Sequence, residues 1–177
     1  MHWSCRSIAS FTAEELQNAY SQLSSSRKAH IDRLRPQEDK RRSLAAEILV
    51  QELLQSLGIT NAVLHRHLNG QPYLTGCDLC VSISHSHQMV ACALSADPIG
   101  IDIERIKPLD FKICRHLCTE EEKAYCGEDL TRLFEIWTAK EAYFKKQGTG
   151  ITDLKSVNTL PLPRQYHKIE DYLVCIM

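Results

Sequence analysis

With 177 residues, 44% of them hydrophobic, the chain is long enough to bury a core as one domain or as two small halves that share one. A formal net charge of -1 excludes a binder driven by a dominant field toward nucleic acid or an anionic membrane, so any anion site must be a local pocket. No stretch reaches the ~18 consecutive apolar residues of a membrane span, and MHWSCRSIAS lacks the basic-then-apolar order of a leader, so a cytoplasmic protein is expected.

Thr12 followed by Glu15 forms a capping-box pattern, and Leu16, Ala19, Tyr20 and Leu23 repeat at helical spacing behind it, which predicts a first helix. SSSRK predicts a break, and a basic segment from Arg27 to Arg42 leads into a second helix. Its stripe is Ala46, Leu49, Val50, Leu53, Leu54 and Leu57, with Glu47, Glu52 and Gln55 facing away and Gly58 placed to end it. From residue 60 the period shortens to that of strands. VLHRHL, the turn NGQP, VSISHS and QMVACALS predict a meander, delivered through ADP into IGIDIE. Thr119 with Glu122 repeats the capping-box pattern, and a long helix is predicted from about Asp129 to Gln147, stopped by Gly148. YLVCIM reads as a last strand. Helices and strands fall in blocks, which favours an α+β fold over a doubly wound parallel sheet.

The eight cysteines admit two readings. Cys77, Cys80, Cys114 and Cys118 could form a zinc-binding module, the alternative from a different class. Cys114 and Cys118 also suit one helix face, while Cys92 and Cys175 sit in apolar runs where a free thiol behaves as a small hydrophobe, so reduced thiols are the expectation.

Two acidic features point to chemistry. In a strand made by IGIDIE, Ile101 and Ile103 share one face and Asp102 and Glu104 the other. In the last long helix Leu130, Leu133, Phe134, Trp137 and Phe144 make an apolar stripe, and Glu141 stands on it, within roughly 40° of Leu130 and Trp137. A carboxylate facing the interior needs a partner. Lys145, one turn on, could supply a surface-type pair, but a divalent cation shared by Asp102, Glu104 and Glu141 explains the placement as well as the charge. Hard oxygen ligands suit Mg²⁺, which commonly completes its shell with water and substrate phosphate, and Lys145, Arg42 and His85 are candidates for the remaining phosphate charge. Ser84-His85-Ser86-His87 could otherwise be a polar strand edge or an H-x-H transition-metal pair.

These blocks resemble the 4'-phosphopantetheinyl transferases of the Sfp-like, surfactin-synthetase-activating group. IGIDIE is similar to the family's G-[IV]-D-x-E and WTAKEAYFK (Trp137 to Lys145) to W-[ST]-x-K-E-[AS]-x-x-K, while SISHS and GQP resemble N-x-S-H-S and G-K-P. The resemblance runs from about Arg27 to Gly150. It implies transfer of 4'-phosphopantetheine from coenzyme A to a serine of an apo acyl or peptidyl carrier protein, with release of 3',5'-ADP. By the same resemblance Asp102, Glu104 and Glu141 would hold Mg²⁺, Lys145 would neutralise phosphate, and Ser84, His85 and Arg42 would bind coenzyme A. Glu121, in CTEEE, would take the serine proton, with Glu120 and Glu122 as neighbouring alternatives. Gln71 and Ser82 depart from the family lysine and asparagine, and Arg27 and His30 stand roughly where it keeps two lysines. The implied fold is a pseudo-dimer of two similar α/β halves, 1–98 and 99–177, the second shortened, acting as a monomer. The trimeric holo-acyl-carrier-protein synthase type is the alternative within the class.

Overall fold

The computed structural model describes residues 1–150 and 153–177. The chain opens with β1 (His2–Ser7), followed by α1 (Ala13–Gln22), α2 (Ser25–Arg33) and α3 (Gln37–Ser56). Two hairpins come next, β2 (Val63–Arg66) with β3 (Pro72–Thr75) and β4 (Cys80–Ser86) with β5 (Met89–Ser95). β6 (Ile101–Arg105) leads to α4 (Cys114–Leu117), α5 (Glu120–Cys126) and α6 (Leu130–Gln147), and the hairpin of β7 (Gln165–Ile169) and β8 (Tyr172–Ile176) closes the chain. The mixture is α+β, as the block order implied.

Local chemistry sets the helix ends. Both capping boxes form: Thr12 accepts from the Glu15 N–H while Glu15 accepts from the Thr12 N–H, and Thr119 and Glu122 repeat the exchange at α5. Asp129 caps α6, and Gly148 ends it in the left-handed region at φ 69°, where a glycine carries no side-chain penalty. The expected break at SSSRK is narrower than the serines suggested. Ser24 accepts from the Arg27 N–H, so the serine run starts α2 instead of forming a loop.

β1, β5 and β4 form one antiparallel sheet in that order, and β6, β8 and β7 another. In each, the strand before a long helix pairs with the second arm of the hairpin after it. β5 is buried on both faces, hence its unbroken apolar run. Val90, Cys92 and Leu94 pack against Leu49, Val50 and Leu54 of α3, while Ala91 and Ala93 meet Ile101, Ile103 and Val174 of the other sheet. On the far side of that second sheet α6 packs through Ala139 and Ala142.

Two expectations fail here. The meander does not continue into β6, which pairs with β8 some 70 residues on, Asp102 opposite Cys175, because its apolar face is completed by the C-terminal strand. Glu47 does not face away from the core: it is buried, with Arg27 at 2.9 Å and Arg66 at 3.6 Å from its carboxylate. Those cations come from α2 and β2, and the periodicity of α3 carries no trace of them. β1 and β7 were not anticipated either. Among the described residues no helix is long and apolar enough to cross a membrane.

Candidate active site

The alternation of β6 places Ile101 and Ile103 in the seam between the sheets and turns Asp102 and Glu104 to the opposite face, beneath α6. Asp102 is fully buried there and Glu104 half-buried. Gly100 permits the approach. A Cβ at this position would lie 1.8 Å from the Ala142 carbonyl oxygen, so only glycine lets β6 enter against α6 closely enough to set Asp102 beside Glu141.

Ligand oxygens of Asp102, Glu104 and Glu141 lie within 4.8 Å of one another, and each acid is steered by a donor. The Trp137 indole N–H donates to Glu141 Oε1 at 2.8 Å. Lys145 Nζ donates to Asp102 Oδ1 at 2.6 Å and to Ser84 Oγ at 2.8 Å, and Ser84 in turn donates to Asp102 Oδ1 at 2.7 Å. Ser86 donates to Glu104 Oε2 at 2.7 Å. The serines of β4 do more than line the site. Ser82 and Ser86 accept from the backbone N–H groups of Ile101 and Arg105, so side-chain hydroxyls cover donors on the free edge of β6.

The charges are incompletely balanced. Burial and the nearby Asp102 carboxylate push the Glu141 carboxyl up to about 7, and burial raises Glu104 as well. Asp102 Oδ2 is buried without a hydrogen-bond partner among the described residues. Three hard oxygen donors, one orphaned and one reluctant to ionise, fit a divalent cation of the magnesium type.

A cavity of about 870 Å³ adjoins this cluster. Glu104, Glu141, Lys145, Ser84 and His85 contribute to its wall, together with Arg27, His30 and Arg33 from α2 and Arg66 from β2. Arg66 is buried enough to be pushed down to about 10, with Glu47 opposing the shift. Desolvation and the Arg42 charge lower the His85 imidazole, which favours its neutral form. A pocket of mixed cations beside a carboxylate cluster suits an extended polyphosphate compound.

The expected residues fall into two sets. Asp102, Glu104, Glu141, Lys145, Ser84 and His85 come together. Arg42 does not join the cavity wall: its guanidinium pairs with Asp39 and donates to the His87 carbonyl at 2.8 Å. Glu121 is exposed on the first turn of α5, away from the cavity wall, and its neighbours are engaged elsewhere. Glu120 pairs with Lys123, and Glu122 is buried in an ion pair with Lys140. Gln71 lies against Gly148 at the end of α6. The four-cysteine zinc set is not assembled. Cys77 packs in the α3 core, Cys80 in the seam between the sheets, and Cys114 and Cys118 together under α6, so the four are divided among three apolar clusters. Arg33 and Arg66 were missed, although alternation in VLHRHL already sets Arg66 on the face of Leu64.

A family model described as the 4'-phosphopantetheinyl transferase superfamily matches residues 98–171, the segment that carries β6, α6 and all three acids. That match covers 74 of the 177 residues. The chain is also similar to several curated proteins named as 4'-phosphopantetheinyl transferases. It is 37% identical over 122 residues to 4'-phosphopantetheinyl transferase gsp of Aneurinibacillus migulanus, covering 64% of this chain and 51% of that protein. It is 27% identical over 148 residues to 4'-phosphopantetheinyl transferase Sfp of Bacillus subtilis strain 168, covering 78% and 66%, and 30% identical over 139 residues to psf-1 of Bacillus pumilus, covering 73% and 60%. The chain thus spans about half to two thirds of the length of these relatives.

Proposed function

We propose that this chain transfers 4'-phosphopantetheine from coenzyme A to a serine hydroxyl of an apo acyl or peptidyl carrier protein. The observation that carries the reading is the convergence of Asp102, Glu104 and Glu141 with Lys145 beside a cavity to whose wall Arg27, Arg33 and Arg66 also contribute. In the reaction a bond forms between the serine oxygen and the β-phosphorus of coenzyme A, the bond from that phosphorus to the bridging oxygen breaks, and 3',5'-ADP leaves. Asp102, Glu104 and Glu141 would hold Mg²⁺, which when bound supplies Lewis-acid stabilisation of pyrophosphate charge. Lys145, held by Asp102 and Ser84, offers a cation to the same charge. Arg27, His30, Arg33 and Arg66 are suited to the nucleotide phosphates. His85 stands on the same wall, and Arg42 would join only by leaving Asp39.

The serine proton needs a base, and Glu121 is the member of its acidic run left without an ion pair or hydrogen bond among the described residues. The two sheets, each a strand, long helix and hairpin in the same order, support a pseudo-dimer of halves 1–98 and 99–177. Both units in one chain favour a monomer over the trimeric type, and a cytoplasmic setting accords with reduced thiols and a coenzyme A substrate. The test is direct. Incubation with coenzyme A, Mg²⁺ and several apo carriers should add one phosphopantetheine to the intact mass of at least one carrier, and no gain on any of them would refute the assignment.

A further inference from the structure

Glu47 is an anomaly on a wall suited to phosphate, because it adds a negative charge to the cavity that the transferase reading gives to coenzyme A. It is buried and stands apart from the carboxylate cluster. A carboxylate in this place opposes anion binding unless it serves the cations around it. Glu47 Oε1 accepts from Arg27 Nε at 2.9 Å, and Arg66 Nη2 lies 3.6 Å from the same oxygen. Ser43, one turn earlier on α3, accepts from Arg27 Nη2 at 2.7 Å. Two guanidiniums from separate elements, α2 and β2, are thus gathered on α3. Burial makes the Arg66 charge costly and the neighbouring Arg27 charge adds to that cost, while Glu47 offsets it. Without the acid the two cations would repel each other toward different orientations.

The clamp leaves donors unused. A guanidinium carries five N–H groups. Among the described residues Arg27 spends those of Nε and one on Nη2, and the Arg66 guanidinium makes no hydrogen bond, since 3.6 Å from Glu47 is an ion pair only. The remaining N–H groups of both are available to phosphate oxygens and are held in place before a ligand arrives. A loose arginine gives up rotamer freedom on binding, and a preset one has given it up already. Arg27, His30 and Arg33 also share one face of α2 at three-residue spacing, so the anchor at Arg27 fixes the roll that turns the other two to the same cavity. We infer that Glu47, with Ser43, is a positioning residue for coenzyme A: it presets Arg27 and Arg66 for the ligand's phosphates, and this order outweighs the repulsion of its own charge. The identity of the ligand rests on the transferase reading above.

The experiment measures coenzyme A binding by isothermal titration calorimetry, with Mg²⁺ and without a carrier so that no transfer occurs, and then kcat and KM with a carrier. Glu47→Gln keeps the shape and makes the wall one charge more positive, so an acid acting through charge alone would give tighter binding once neutralised. The expected result is the opposite: Kd and KM for coenzyme A rise about fivefold or more, while kcat stays within about twofold of wild type and the melting temperature within a few degrees. Combined with Arg66→Ala, the loss should fall short of the product of the two separate losses by about threefold or more, because one of the positioned residues is already gone. Unchanged or tighter binding by Glu47→Gln, or a combined loss equal to the product, overturns the inference. Should Glu47→Gln not fold, Ser43→Ala frees Arg27 without changing any charge. A several-fold higher Kd at an unchanged melting temperature then supports the clamp, and an unchanged Kd overturns it. Wild type that binds coenzyme A yet modifies no carrier sinks the transfer step alone, and the Kd values of the variants still decide the role of Glu47. Wild type that binds no coenzyme A overturns both.

Discussion

Replacing Glu141 by glutamine should make the metal-free protein more stable and the enzyme inactive. In the folded chain burial and the Asp102 charge raise this carboxyl from an ordinary 4.5 to about 7. Because the folded value lies above the unfolded one, protonation favours the folded state. The penalty for ionisation is complete above about pH 7, shrinks as pH falls, and is gone below about pH 4.5. At ~1.4 kcal/mol per pH unit the gap sets a ceiling of about 3 kcal/mol, and the fraction of the charge that water and Lys145 still screen brings the expected gain to ~1–3 kcal/mol. Glutamine keeps the oxygen that accepts from Trp137 and removes the charge. For a chain of this size the gain corresponds to a melting temperature roughly 3–10 °C higher at pH 8, converging with wild type near pH 5. Mg²⁺ should raise the wild-type melting temperature at pH 8 and do so far less for the variant. Differential scanning calorimetry across pH 5–8, with and without Mg²⁺, measures all of this. A variant no more stable than wild type at pH 8, or a gain that persists undiminished at pH 5, would show that the acids do not repel one another as their spacing requires.

Gly100→Ala should cost about 3 kcal/mol or more, visible in a denaturant titration, because the added methyl meets backbone on α6 and not a movable side chain. Asp102→Asn should lower transfer at least a thousandfold while far-ultraviolet circular dichroism stays unchanged, as Ser84 and Lys145 retain an oxygen to bond. Arg66→Ala should raise KM for coenzyme A about tenfold with kcat nearly intact, Glu47 remaining neutralised by Arg27. Steady-state kinetics with saturating carrier separates that outcome from a general loss.

How much could be read in advance followed the range of the interactions. Capping boxes at Thr12 and Thr119, the glycine stop after α6 and the β4–β5 hairpin depend on residues close in sequence, and all were legible. The partner of β6 was not, because two 3-stranded sheets can be assembled from such strands in several orders and the choice is made by long-range packing. The carboxylate cluster was legible for a different reason: Glu141 stood on an apolar stripe, an anomaly that only a partner from elsewhere resolves. The cationic wall was less so. Arg33 and Arg66 look like ordinary surface charges until α2 and β2 are folded over α3, and Glu47 looks solvent-facing until they arrive. Arg42 is the reverse case, a basic residue expected at a ligand that the fold pairs with an acid three residues before it.

The serines of β4 meet β6 through hydroxyls at alternate residues, with no ladder of backbone bonds between the two strands among the described residues. Such a joint behaves like a row of separate latches. A backbone ladder slips or parts as a unit, whereas each hydroxyl turns about its own bond and can be released singly. The carboxylates of β6 can therefore adjust by fractions of an ångström to an incoming cation or phosphate while both sheets keep their registers.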